Sequence, residues 1–141
     1  MLKGDDSAVA RAVRADSEAR LLSGDYFTGV VLLQTYFEML TRALLNPLID
    51  ANGVTSRIRA SDFDGQRRAV CHALEVAEDD QLLNDWREHV YWVRGRGVHR
   101  ARIGISDEQA NKAHVAVSSL ARELVRRATE SGLAINDLTQ K

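Results

Sequence analysis

The sequence has few of the residues that cross-link a chain or interrupt its helices. It holds one cysteine, Cys71, and one proline, Pro47, among 141 residues. A single cysteine excludes an intrachain disulfide and a metal site built from cysteines, and it fits a reducing compartment. Because helix interiors exclude proline and glycine, the scarcity of proline predicts long helices.

Long apolar runs and a strong net charge are also missing. No apolar run approaches the roughly 20 residues that a membrane span needs. The start, Met1–Asp6, turns acidic where a signal peptide would turn apolar. A net charge of −1, with 45% apolar and 28% charged residues, is typical of a soluble globular protein. We therefore predict one cytoplasmic domain over residues 1–141, with residues 1–4 and 133–141 frayed.

Apolar residues recur at intervals of three and four in five segments, and no segment alternates as a strand would. This predicts an all-α, antiparallel bundle of four to five helices. The second helix has the clearest stripe: Val30, Leu33, Phe37, Leu40 and Leu44. The last helix begins at a Ser106 cap and has a second clear stripe: Ala110, Ala113, Val117, Leu120 and Leu124.

Two details of the first two helices are less regular. The first helix runs from about Asp5 to Leu22, and its predicted apolar face consists mostly of alanines: Ala8, Ala12, Ala15, Ala19 and Leu22. We expect Pro47 to end or bend the second helix, followed by a turn at residues 50–53.

The break before the last helix contains the residues whose chemistry most clearly suggests a function. Residues 94–102 hold four arginines and His99 but no acid: Arg94, Arg96, Arg100 and Arg102 are the arginines. Guanidinium groups bind phosphate oxygens through a fork of donors, and histidine exchanges protons near neutral pH. Together they suggest phosphodiester chemistry on RNA, whose 2′-OH supplies an internal nucleophile. A solvated, Arg-rich turn between helices is the alternative interpretation.

The segment Arg94-x4-His99 resembles the signature of the HEPN superfamily, an arginine and a histidine four to six residues apart between the final two long helices of a bundle. The phrase Asp64–Val70 is similar to the entry of the family's third helix, and the resemblance covers most of the chain from about Asp25. It implies a HEPN-like fold and a metal-independent ribonuclease of the toxin or phage-defence type, with no cofactor.

The resemblance also implies roles for individual residues and for partners. His99 would transfer a proton at the 2′-OH or at the leaving 5′-oxygen, and Arg94 would stabilise charge on the scissile phosphate. Family members are typically homodimers with a composite site, and an antitoxin or a nucleotidyltransferase-like protein is a possible partner. Arg96, Arg100 and Arg102 have no family counterpart, and their RNA-binding role rests on charge and proximity.

One departure from the family pattern favours a different function. Active members usually carry a polar residue directly after the motif arginine, whereas this chain has Gly95. A non-catalytic module that binds RNA or a protein is therefore the alternative, and a plain helical bundle within a larger assembly is a third.

Several other residues carry narrower predictions. We expect Trp86 and Cys71 in the core, Tyr91 and Trp92 at a dimer interface, and Glu38 in an ion pair with Arg42. A buried Glu38 that reaches towards the Arg94 loop is the alternative. His72, His89 and His114 fall on three different predicted helices, so no metal site is expected from them.

Overall fold

The computed structural model describes residues 4–52, 62–93 and 104–132, and every regular element in these ranges is helical. The helices are α1 (Gly4–Leu22), α2 (Tyr26–Asn52), α3 (Phe63–Ala73), α4 (Gln81–Trp86) and α5 (Asp107–Glu130). A π-helical segment, Arg87–Tyr91, continues α4 directly. The predicted all-α bundle is confirmed.

Helix α2 is the centre of the bundle, because α1, α3, α5 and the π-helical segment all pack against it. All five apolar residues of its predicted stripe are buried, with exposed fractions of 1% or less. The stripe predicted for α5 is buried in the same way. These two stripes form the main hydrophobic core, so the most periodic parts of the sequence are the ones that fold inward.

The prediction that Pro47 ends or bends α2, followed by a turn at residues 50–53, is wrong about where the helix ends. The helix continues through Pro47 to Asn52, so residues 50–52 are helical, and residue 53 lies outside the described residues. Proline at this position removes one backbone donor from the helix. Leu45 and Leu48 lie on either side of it and are both buried. Burial of these leucines favours continuation of the helix and offsets the lost hydrogen bond.

The predicted face of α1 is also wrong. All five members of its alanine stripe are exposed, including Leu22 at 90%. The buried positions are Ala10 and Ser17, with Val13 and Leu21 partly buried beside them. The Ser17 hydroxyl donates a hydrogen bond of 2.8 Å to the Gly29 carbonyl oxygen of α2. An alanine stripe offers little apolar area, so this close contact and the larger side chains determine the face.

The direction of the helices follows from which residues meet. Glu18 of α1 contacts His114 of α5, and residues near the end of α1 share a cleft with the start of α5. Helix α1 therefore runs antiparallel to α5. Arg127, near the end of α5, donates to the carbonyl oxygens of Leu74 and Glu75, which precede α4. Helix α4 therefore also runs antiparallel to α5.

Candidate functional site

Every residue of the predicted site lies outside the described residues. Arg94, Arg96, His99, Arg100 and Arg102 all fall within residues 94–103. The structure describes the two flanks of this segment, which end at Val93 and resume at Gly104.

The flank before Arg94 is a helix with a local irregularity. In the π-helical segment the backbone N–H of Trp92 donates to the carbonyl oxygen of Arg87, five residues earlier. Val90, inside this segment, is completely buried, and the segment packs on both α2 and α5. Short π-helical insertions are frequent at functional sites because they redirect the side chains that follow them. This irregularity precedes Arg94 by only a few residues.

The flank after residue 103 is fixed by a helix cap. The Ser106 hydroxyl accepts a hydrogen bond from the Gln109 backbone N–H, and the Gln109 side chain accepts one from the Ser106 N–H. This reciprocal arrangement is a capping box, which satisfies donors at the start of a helix. The cap predicted at Ser106 is confirmed. The described helical elements before and after residues 94–103, the π-helical segment and α5, pack against each other.

Two tryptophans near the segment have different environments. Trp86 is 1% exposed, with its ring centroid 5.2 Å from that of Phe37 and 5.1 Å from that of Tyr91, so its predicted place in the core is confirmed. Trp92 is 54% exposed and stands two residues before Arg94. Large exposed aromatic rings are typical of binding surfaces. Its predicted place at a dimer interface, like that of Tyr91, stays a prediction.

Two successive side-chain hydrogen bonds link Trp86, Gln34 and Glu38, and the sequence did not predict them. The indole N–H of Trp86 donates to Gln34 Oε1 at 2.9 Å, and Gln34 Nε2 donates to Glu38 Oε2 at 3.1 Å. Gln34 is completely buried, so the bond from Trp86 satisfies a polar group that would otherwise be costly. The sequence signal for these bonds was Gln34, a polar residue inside the apolar run of the second helix. The predicted Glu38–Arg42 pair is wrong: no such ion pair forms between these two described residues.

A second polar network joins Arg67 of α3 to Glu78, in the turn that precedes α4. The Arg67 side chain is 2% exposed. Its guanidinium donates to both carboxylate oxygens of Glu78 at 3.0 Å and to Asp64, and it lies 5.5 Å from the Trp86 ring centroid. Burial alone would lower the pKa of Arg67, but the hydrogen bonds and charge of Glu78 outweigh it and raise the pKa. Conversely, the hydrogen bond from Arg67 lowers the pKa of Glu78. We interpret this network as structural, because its charges satisfy one another.

Cys71 lies beside this network and is completely buried, as predicted. Burial raises the pKa of its thiol, although the nearby Arg67 guanidinium opposes the shift. A buried thiol with a raised pKa is a poor nucleophile, so Cys71 is part of the core.

A cleft of about 780 Å³ lies between the α1–α2 turn and the start of α5. Leu21, Leu22 and Tyr26 line one side. The Glu18 Oε2–His114 Nε2 contact, 3.1 Å long, bounds the cleft. In the described ranges no three His, Cys, Asp or Glu side chains are close enough together to hold a metal ion.

Comparison with protein-family models, with curated proteins and with solved structures finds no match for this chain. Among the described helices none is long and apolar enough to cross a membrane.

Proposed function

We propose that this protein is a metal-independent endoribonuclease of the HEPN type that cuts RNA through Arg94 and His99. The observation that carries the proposal is the position of the Arg94-x4-His99 segment. In chain order it connects the π-helical segment that continues α4 to α5, and these two elements pack against each other in an all-α bundle. That is the position of the motif in the family that the sequence resembles.

The proposed reaction needs only groups that RNA and this segment supply. His99 removes the proton from the 2′-OH, whose oxygen attacks the adjacent phosphorus. The bond from phosphorus to the 5′-oxygen breaks, and that oxygen takes a proton from histidine or water. Arg94 stabilises the negative charge that builds on the phosphate oxygens. Arg96, Arg100 and Arg102 attract the RNA backbone.

The cellular setting belongs to the same proposal. We propose a cytoplasmic homodimer in which two copies of the segment form one composite site. Toxicity would then be controlled by an antitoxin or by a nucleotidyltransferase-like partner. The exposed ring of Trp92, two residues before Arg94, supports an interface on this part of the surface.

Gly95 favours a second candidate function, a module that binds RNA or protein without cutting. The polar side chain that usually follows the motif arginine is absent, so Arg94 loses a group that could orient it. Binding without cleavage, weakening steeply as salt rises, would identify phosphate contacts by this module. Binding that salt does not affect would identify a protein partner instead.

The deciding experiment is an RNA digest with the full chain and matched variants. We expect cleavage that persists in EDTA, and a loss of at least about a hundredfold in His99→Ala and Arg94→Ala. His72→Ala and Arg42→Ala are the controls, because both side chains are exposed and lie on other helices. An RNA with a single 2′-deoxy substitution at the cut site should resist at that position.

Three results would contradict the nuclease proposal. These are cleavage abolished by EDTA, equal cleavage by His99→Ala and wild type, and no cleavage of any RNA after prolonged incubation. The third result, combined with salt-sensitive RNA binding that Arg96→Gln weakens, would establish the binding module.

A further inference from the structure

A groove separates α1 from α5, and two rows of polar side chains face each other across it. Both helices pack on α2 but make almost no direct backbone contact with each other. Arg14 and Glu18 line the groove from α1, and His114, Ser118 and Arg122 line it from α5. Each row has the four-residue spacing that places side chains on one face of a helix.

The register of the two helices separates positive from negative charge along the groove. Glu18 contacts His114 across the gap at 3.1 Å. Since α1 and α5 are antiparallel, one helical turn back from Glu18 corresponds to one turn forward from His114. Arg14 is therefore level with Ser118, and Arg122 lies one turn further along α5. The Glu18 carboxylate contacts His114 at one end of the groove. Arg14 and Arg122 lie toward the other end.

The two arginines differ in how they are held. The guanidinium carbon of Arg14 lies 5.9 Å from the centroid of the Tyr36 ring, and Tyr36 is itself 1% exposed. This stacking positions Arg14 against a rigid surface of the core. Arg122 is exposed, and no carboxylate of the described residues lies within ion-pair distance of it. Its charge is therefore not neutralised by a neighbouring acid in these ranges.

We propose that this groove is a binding site for a phosphate monoester or free inorganic phosphate. Arg14 and Arg122 would bind the oxyanion through their guanidinium forks, and the Ser118 hydroxyl would donate a further hydrogen bond. Two positive groups match a dianion better than the single charge of a phosphodiester. The groove is about 290 Å³, at the lower limit for small-molecule sites, so a small anion fits it better than a whole nucleotide.

The site is distinct from the proposed ribonuclease centre. Ser118 and Arg122 lie 11 and 15 residues beyond Asp107, the first residue of α5. At a rise of 1.5 Å per residue they stand about 17–22 Å along the helix from the end where residues 94–103 rejoin it. None of the groove residues belongs to the Arg94-x4-His99 motif, so separate substitutions test the two proposals.

Calorimetric titration with inorganic phosphate at constant ionic strength tests the proposal. We expect saturable binding by wild type and by the control Arg42→Gln, which removes the same charge from an exposed position on α2. Arg122→Gln should weaken binding at least about tenfold, because a charge-assisted hydrogen bond is lost. Arg14→Gln should have a similar effect, and Ser118→Ala a smaller one, about two- to fivefold.

A second titration distinguishes the sources of the phosphate. Adenosine monophosphate tests for a nucleotide and adenosine serves as the uncharged comparison. Binding of phosphate alone identifies a free-phosphate site, and binding of the monophosphate but not of adenosine identifies a nucleotide phosphate. Equal binding of adenosine and its monophosphate would overturn the proposal. So would wild type that binds neither inorganic phosphate nor the monophosphate saturably, or equal weakening by Arg122→Gln and Arg42→Gln. Thermal melts without ligand check that each variant is folded.

Discussion

The bundle contains two kinds of helix contact, and they differ in what holds them. The contacts of α2 with α4 and α5 consist of leucines, valines and packed aromatic rings, with Trp86 surrounded by Phe37, Phe63 and Tyr91. The contact of α1 with α2 is closest at Ser17 and Gly29, and Ala10, Val13 and Leu21 supply its smaller apolar part. The first contact depends on buried area, and the second depends on close approach.

This difference explains where the polar groove lies. A helix that buries large side chains on two neighbours closes the space between them. Helix α1 instead approaches α2 closely through Gly29 and leaves its side toward α5 open. Arg14 and Glu18 occupy that open side, where charged side chains remain partly solvated. The weaker apolar contact thus creates room for a binding site.

Replacing Trp86 should have the largest effect on stability, because it removes the side chain at the centre of the apolar contact. We expect Trp86→Ala to lower the free energy of unfolding by about 3–5 kcal/mol. Trp86→Phe keeps most of the apolar contact but removes the donor to Gln34, and it should cost about 1–3 kcal/mol. Urea unfolding followed by circular dichroism measures both. Equal losses in the two variants would show that the buried hydrogen bond, and not the apolar area, dominates.

A methyl group at Gly29 tests the close approach of α1 and α2. An alanine Cβ there would lie 2.5 Å from Leu21 Cδ2 and 2.7 Å from Leu21 Cγ, closer than carbon atoms pack. We expect Gly29→Ala to lower the free energy of unfolding by about 1–3 kcal/mol, the usual cost of overpacking. Urea unfolding again provides the measurement.

A double variant isolates the cause of the Gly29 effect. In Gly29→Ala combined with Leu21→Ala, the shorter side chain leaves room for the new methyl group. The loss should therefore be smaller than the sum of the two single losses. Strict additivity would contradict the steric explanation.

The same contrast explains which parts of the fold could be predicted from sequence. The stripes of α2 and α5 contain large apolar residues, so their periodicity identified the buried face correctly. In α1 the alanine spacing was regular, but alanine adds little free energy on burial, and the face was wrong. The helix beyond Pro47 was missed because a local rule about proline gave no weight to the burial of Leu48.

The polar features were harder to predict, because they depend on pairs far apart in the chain. The Gln34–Trp86 hydrogen bond joins residues 52 positions apart, and the Glu18–His114 contact joins residues 96 apart. No spacing rule connects such pairs before the helices are packed. The motif Arg94-x4-His99 was visible because it is local, and its roles stay predictions until the digest is done.

Two adjacent leucines at the end of α1 provide the smallest and most selective test of the contrast. Leu22 is 90% exposed, whereas Leu21 packs against the core and contacts Gly29. Leu22→Ser should change the free energy of unfolding by less than about 0.5 kcal/mol, as expected for an exposed surface position. Leu21→Ser should lower it by about 1–2 kcal/mol, because it removes partly buried apolar area from a contact that has little of it. The two variants carry the same chemical change. The difference between their free energies of unfolding in urea therefore reflects only which face of the helix each leucine occupies. If Leu22→Ser were the more damaging, the alanine face would be the buried one, and the polar groove between α1 and α5 would lose its structural basis.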